Sequence, residues 1–250
     1  MDKSTRGLVL REVNYRDADK ILSVLTETEG KITVSARGAK RKNSKFTASA
    51  QLLAFSEMNL YQRQGKWYMR EASAVELFGG LRSDIALLAL GSYFAELLEA
   101  VSDEDSQNLE ILQLGLSALY ILSKNDRPME LVKAAFELRL MCLAGYEPLL
   151  NYCRTCSEVP EKPIFDIGAG TVVCGKCTGG EERAAGNQLI KLCQGSYNAA
   201  QYIAGARADR VFSFSLGDRA LKRLEDMCEN YMTSRLERRF KTLDFWKGIR

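Results

Sequence analysis

A chain of 250 residues with 46% hydrophobic and 27% charged side chains has apolar material for a buried core, and its length suits two domains better than one. It contains no histidine, which excludes Ser-His-Asp and Cys-His nucleophiles and histidine-ligated catalytic metals. The net charge of +3 is unevenly spread: residues 1–80 hold 14 Lys/Arg against 9 Asp/Glu and the remainder 21 against 23, so the positive field belongs to the first third.

Met1 to Arg6 is polar and lacks the form of a signal peptide, and no apolar run is long enough to span a bilayer. Seven cysteines, an odd number, without an export signal point to a reducing cytosol rather than a disulfide framework. A cytoplasmic protein without a membrane partner is expected.

Five short segments rich in aliphatic, β-branched and aromatic residues come first: Gly7 to Val13, Ile21 to Thr26, Ile32 to Arg37, Leu52 to Tyr61 and Trp67 to Ala72. Glu29-Gly30 and Gln64-Gly65 sit where tight hairpins need positive φ. Five strands in about seventy residues predict a small closed barrel, and the five-stranded OB-fold is the common nucleic-acid-binding barrel of that size. The third strand leads into a basic stretch carrying Lys31, Arg37, Lys40, Arg41, Lys42 and Lys45, with no acidic residue between Glu29 and Glu57. Cations crowded without local neutralisation suit a surface whose counter-charge is a polyanion, most simply a nucleic-acid backbone; a solvated basic loop or a targeting tract has the same composition.

Tyr15, Phe46, Phe55, Tyr61, Trp67 and Tyr68 are candidates for base stacking. Phe55, at an apolar strand position, suits the barrel interior. Phe46 beside Lys45, and Tyr61 or Tyr68 flanking the Arg63 to Lys66 turn, are better placed as platforms, although each also suits core or rim.

Gly79-Gly80 marks a boundary, after which apolar residues recur at helical spacing, from Ile85 through Val101. The acidic triplet Asp103-Glu104-Asp105 interrupts; it suits a solvated capping loop better than a metal site. Further helices are predicted from Gln107 to Ser123, from Asp126-Pro128 to Gly145, from Asn187 to Ala204 and from Asp218 to Leu243. The last has a basic end containing Arg238 and Arg239, which suits nucleic acid or a partner's acidic tail, or simply a helix C-terminus.

The most specific pattern is Cys153-Arg-Thr-Cys156 followed by Cys174-Gly-Lys-Cys177. Each C-x2-C places two thiolates on one tight turn, and two such turns complete a tetrahedral sulfur shell suited to one zinc ion. Four protein ligands leave no open coordination position, so the expected role is structural; a redox dithiol pair is the alternative. Pro163 to Asp166 and Gly168 to Val173 read as a hairpin joining the pairs. Cys142, Cys193 and Cys228 lie in helical patterns as small buried residues.

The expected architecture is α+β: an OB-fold barrel in residues 1–80, then an all-helical domain in 81–250 with a zinc-binding insertion at 149–180. Gly30-Lys31 fails as a phosphate-binding loop, because Ile32 replaces the required Ser/Thr and Leu25 the first glycine. No dinucleotide, zinc-protease or deaminase motif is present, and no enzyme is expected, although a carboxylate pair leaves no sequence signature.

Taken together, Gly7 through Tyr15, Asp19 through Leu22, Thr26 with Gly30-Lys31-Ile32, Arg37 through Lys42, Gly145 through Pro148 with Cys153 through Cys156, and Arg238 through Leu243 resemble the bacterial recombination mediator family RecO. The departure at the last motif is Thr242, where a serine is usual. The resemblance implies an OB-fold followed by a helical domain, binding of single- and double-stranded DNA, and annealing of complementary strands. It further implies work with RecR to load RecA onto DNA covered by single-strand-binding protein, and contact with that protein's acidic C-terminal tail, at the nucleoid. A zinc-ribbon scaffold acting through protein contacts, and a magnesium-dependent nucleic-acid enzyme, are the competing classes.

Overall fold

The computed structural model describes residues 2–104, 106–178 and 189–250. Asp105 of the acidic triplet, the last two residues of the expected insertion and the expected helix start at Asn187 lie outside them. Two compact units form, one from Met1–Asn125 with Phe240–Arg250 and the other from Asp126–Arg239.

In the first unit, β1 (Asp2–Tyr15), β2 (Asp19–Thr26), β3 (Lys31–Ala36), β4 (Phe55–Arg63) and β5 (Lys66–Glu76) close into a barrel in the order β1-β2-β3-β5-β4. The barrel closes because β1 is long enough to serve two neighbours. Its first half pairs with β4 and its second with β2, with a bulge between Val9 and Arg11 where it bends. Leu8, Val9 and Leu10 are accordingly all buried, which breaks the alternation expected of a flat strand. Gly7 lies at the changeover, where an added Cβ would come within 2.6 Å of the Val24 side chain. A short parallel pairing, Val34 with Trp67 and Ser35 with Tyr68, shuts the cylinder.

Gln64 and Gly65 both have positive φ (51° and 72°), as a two-residue hairpin between Arg63 and Lys66 demands. The connection from β3 to β4 is a series of turns, and it is not free of the barrel. Ala39, Phe46, Ala50 and Ala54 belong to the same buried cluster as Val9, Leu22, Val24, Ile32, Val34 and Met58. Phe46 therefore fills the core rather than offering a stacking platform, contributing about 1.5–3 kcal/mol by burial. The fourth strand begins at Phe55, not Leu52, because Leu53 takes a left-handed turn (φ 66°) and donates its N–H to the Val9 carbonyl, while the Val9 N–H donates to the carbonyl of Ala54.

Helices α1 (Ile85–Val101) and α2 (Leu109–Lys124) follow in this unit, capped by the side chains of Asp84 and Asn108. The second unit contains α3 (Met129–Leu143), a small sheet of β6 (Pro163–Asp166), β7 (Thr171–Cys174) and β8 (Leu189–Lys191), then α4 (Gln194–Gly205) and α5 (Asp218–Leu236). The expected hairpin is β6–β7, in register from Pro163–Cys174 to Asp166–Thr171. The fourth expected helix starts only at Gln194, because Leu189–Lys191 pairs with β6 instead.

The single helix expected over Asp218 to Leu243 is two. It stops at Leu236, where Glu237 turns left-handed (φ 48°), and α6 (Lys241–Ile249) begins after Phe240. The break lets Phe240 bury itself edge-on against Tyr93 of α1, at a centroid distance of 5.9 Å. Among the described residues no helix is long and apolar enough to cross a membrane.

A candidate nucleic-acid interface and a candidate metal centre

A groove of about 610 Å³ runs over the face of the barrel where β3 meets β5. The turns joining β1 to β2 and β4 to β5 flank it, the usual position of an OB-fold ligand cleft. Tyr15, Trp67 and Tyr68 line it together with the cations Arg16, Lys31, Arg37 and Lys66. The Arg37 guanidinium stacks on Tyr68 at 4.7 Å, and the opposite face of Tyr68 is taken by Tyr61 (5.2 Å, 19° between planes). Tyr61 is in turn covered by Arg70, held by Asp2 at 2.6 Å. The two tyrosines thus form one continuous stack with Arg37 at its groove end.

The basic residues divide into two sets. Lys31 and Arg37 line the groove, and the Lys31 ammonium donates to the backbone carbonyl of Glu99 at 2.8 Å. Lys40, Arg41, Lys42 and Lys45 are exposed on the turns after Gly38, outside the groove lining. Two contacts fix where those turns leave the barrel: Asp19 accepts from the Gly38 N–H at 2.8 Å, and the Lys40 N–H donates to the Ala18 carbonyl at 2.9 Å. Neighbouring cations are neutralised within the chain, Lys3 by Glu29 and Lys20 by Glu12. Arg37, Lys40, Arg41, Lys42 and Lys45 make no ion pair among the described residues.

Arg16 and Lys66 were not among the candidates from charge density, because each is an isolated cation in sequence. The signal available was topological: in a five-stranded barrel the first and last hairpin turns border one face. Arg238 and Arg239 are exposed in the link between α5 and α6, not on a helix end.

In the second unit, Cys153, Cys156, Cys174 and Cys177 converge, their sulfurs all within 4.8 Å of one another. Cys156 and Cys177 lie 3.3 and 3.6 Å from Cys174, far beyond a disulfide bond, and all four thiols are free. The β6–β7 hairpin carries Cys174 to the first pair. Burial raises the Cys153 thiol, but backbone N–H groups of Cys156, Cys174 and Thr155 aimed at its sulfur outweigh it and bring the pKa down to about 6. Cys174 is pushed up, foremost by sharing a proton with Cys153 and then with Cys156. Four sulfurs in one cluster, one already favouring the thiolate, can hold a metal ion. An edge contact of Phe165 with Tyr231 (5.3 Å) fastens this ribbon to α5.

Residues 1–78 match the family model described as Recombination protein O N terminal, and residues 82–244 match Recombination protein O C terminal. A protein of Acetivibrio thermocellus named DNA repair protein RecO is 32% identical over 247 residues, covering 98% of this chain and 96% of its own length. Proteins of the same name from Symbiobacterium thermophilum (30% identical, 98% and 96% covered) and Alkaliphilus metalliredigens (27%, 98% and 98%) are similar along the same span. With both family models matched in order and relatives alike over nearly its whole length, the chain belongs to the RecO family of DNA repair proteins.

Proposed function

We propose that the protein is a recombination mediator that binds single- and double-stranded DNA and anneals complementary strands without making or breaking covalent bonds. The observation that carries this reading is the set of five cations that make no ion pair among the described residues, Arg37, Lys40, Arg41, Lys42 and Lys45, at a groove lined with aromatic rings. Two DNA strands repel through their phosphates. A basic surface that holds both weakens that repulsion and raises their local concentration, and base pairing supplies the driving force. In this division of labour residues 1–80 contact DNA, with Lys31 and Arg37 in the groove and the turns beyond Gly38 reaching phosphates. Residues 81–250, including the insertion at 149–180, serve assembly, and Arg238 and Arg239 offer a second basic surface.

The partners we assign are RecR, the acidic C-terminal tail of single-strand-binding protein and, indirectly, RecA on DNA at the nucleoid. An apolar groove of about 410 Å³ between α1 and α6 supports the tail contact: Ile85, Leu88, Ala89 and Phe245 form its walls, and Lys241 supplies a cation at its edge. For the cysteine cluster we assign one structural zinc ion. A zinc–sulfur bond of about 2.3 Å places tetrahedral sulfurs about 3.8 Å apart, within the spread of the cluster.

The test is a salt series on the intact protein and on a variant with Lys40→Ala, Arg41→Ala and Lys42→Ala, read by fluorescence anisotropy of a labelled single strand and by strand annealing. Three lost phosphate contacts should flatten the slope of log K against log[salt] by about 2 and slow annealing in parallel. An unchanged slope would move the phosphate contact elsewhere, with Arg238 and Arg239 next to be replaced.

A further inference from the structure

The groove contains a feature that a purely phosphate-binding surface would not. Glu104, exposed in the connection from α1 to α2, lines the groove at its Lys31 end. Its position there is held by the backbone: Glu104 bridges to both Gly30 and Lys31, and the Lys31 N–H donates to the Asp103 carbonyl at 3.4 Å. The other carboxylate in the lining, Asp19, is occupied with the Gly38 N–H. The Glu104 carboxylate makes neither a hydrogen bond nor an ion pair among the described residues. Lys31, its neighbour, donates its ammonium to the backbone carbonyl of Glu99 and makes no ion pair with Glu104.

A carboxylate without a hydrogen-bond partner attracts donors. The other end of the groove, about 20 Å away along the six residues of β3, carries Arg37 and the tyrosine stack and attracts phosphate. A single strand lying in the groove therefore meets two unlike ends. A strand held by its backbone at the Arg37 end can turn a base edge toward the Glu104 carboxylate.

We infer that Glu104 is a specificity-determining residue which accepts a hydrogen bond from an amine-bearing base edge and gives the groove a preference for cytosine over thymine. Cytosine offers its N4 amine, and a carboxylate accepting from that amine is an established base contact. Thymine offers one N–H flanked by two carbonyl oxygens, which face a carboxylate unfavourably. The inference rests on the DNA-binding reading of the same groove.

The experiment compares labelled oligo(dC) and oligo(dT) of equal length, without divalent metal and above neutral pH so that cytosine is unprotonated, on the wild type, Glu104→Gln and Tyr68→Ala. A glutamine keeps the side-chain length, removes the charge and can donate to thymine carbonyls as readily as it accepts from cytosine. The wild type should bind oligo(dC) about five-fold more tightly than oligo(dT), one exposed contact being worth less than a bidentate pair. Glu104→Gln should raise affinity for both strands and bring the ratio near one, while Tyr68→Ala should weaken both. If Tyr68→Ala weakens both strands but the ratio is the same in wild type and Glu104→Gln, the role of Glu104 is overturned and the groove stands. If neither variant changes binding to either strand, the groove is not the DNA site and both readings fall.

Discussion

At the scale of single residues, a buried charge in the second unit shows how much one side chain can depend on its partners. Lys133 of α3 is wholly buried, with its ammonium 3.0 Å from Glu137 on the next turn and 2.9 Å from Glu229 of α5. Burial alone would lower its pKa, but the attraction of Glu137 and then Glu229 prevails and the net direction is upward. A raised folded-state pKa means the contribution is intact below the ordinary lysine value of about 10.4 and is lost only as pH climbs through the higher folded value. Lys133→Met should therefore cost about 3–5 kcal/mol at neutral pH by taking the ammonium away from the buried Glu137, and Lys133→Met with Glu137→Met should recover much of it. Thermal melts of the two variants check this; equal melting temperatures for the single and double variants would mean that the pair is not coupled. Lys and Glu four apart on a largely apolar helix were readable in the sequence, but nothing there indicated that α5 would bring Glu229 as a third member. Phe46 shows the converse: a lysine beside an aromatic ring resembles a stacking platform, and only the fold of the turns reveals that the ring fills the barrel.

Among the elements, the cysteine ribbon was legible because metal-ligand geometry is local, so a spacing of two residues within each pair and a hairpin between pairs leave little freedom. The boundary between α5 and α6 was illegible for the opposite reason. Apolar residues keep helical spacing from Leu224 to Leu243, and the left-handed turn at Glu237 is imposed by the pull of Phe240 toward Tyr93, a contact distant in sequence. The start of α4 was hidden likewise by the pairing of β8 with β6. The ribbon carries its own prediction. Cys174→Ser removes the most central sulfur, and the purified variant should lose the one zinc per chain assigned to the wild type, measured by metal analysis. Its effect should stay with the ribbon and α5, to which Phe165 and Tyr231 bind it, so the salt slope of single-strand binding should keep its wild-type value. Full zinc retention in Cys174→Ser would overturn the four-sulfur shell.

For the whole molecule, the chain path matters as much as the elements. It leaves the barrel-bearing unit after Asn125, builds the second unit, and returns at Phe240 to lay α6 against α1. The return is substantial: Phe240, Leu243 and Trp246 are buried, and Glu96 of α1 accepts from the Thr242 hydroxyl at 2.6 Å. The barrel is joined to the same helix, since Arg11 pairs with Glu99 at 2.9 Å and Lys31 donates to the Glu99 carbonyl. Helix α1 thus stands between the barrel and the last eleven residues, a dependence that no local sequence pattern contains. Deleting residues 240–250 should expose the α1 face that α6 covers and remove the burial of three large side chains, each worth about 1.5–3 kcal/mol. The unit containing the barrel should then unfold at a markedly lower temperature, while α3, α4 and α5, which pack on one another, keep their transition. Differential scanning calorimetry resolves the two outcomes. An unchanged thermogram would make α6 a dispensable appendage, and a uniform collapse of both units would mean that they unfold as one.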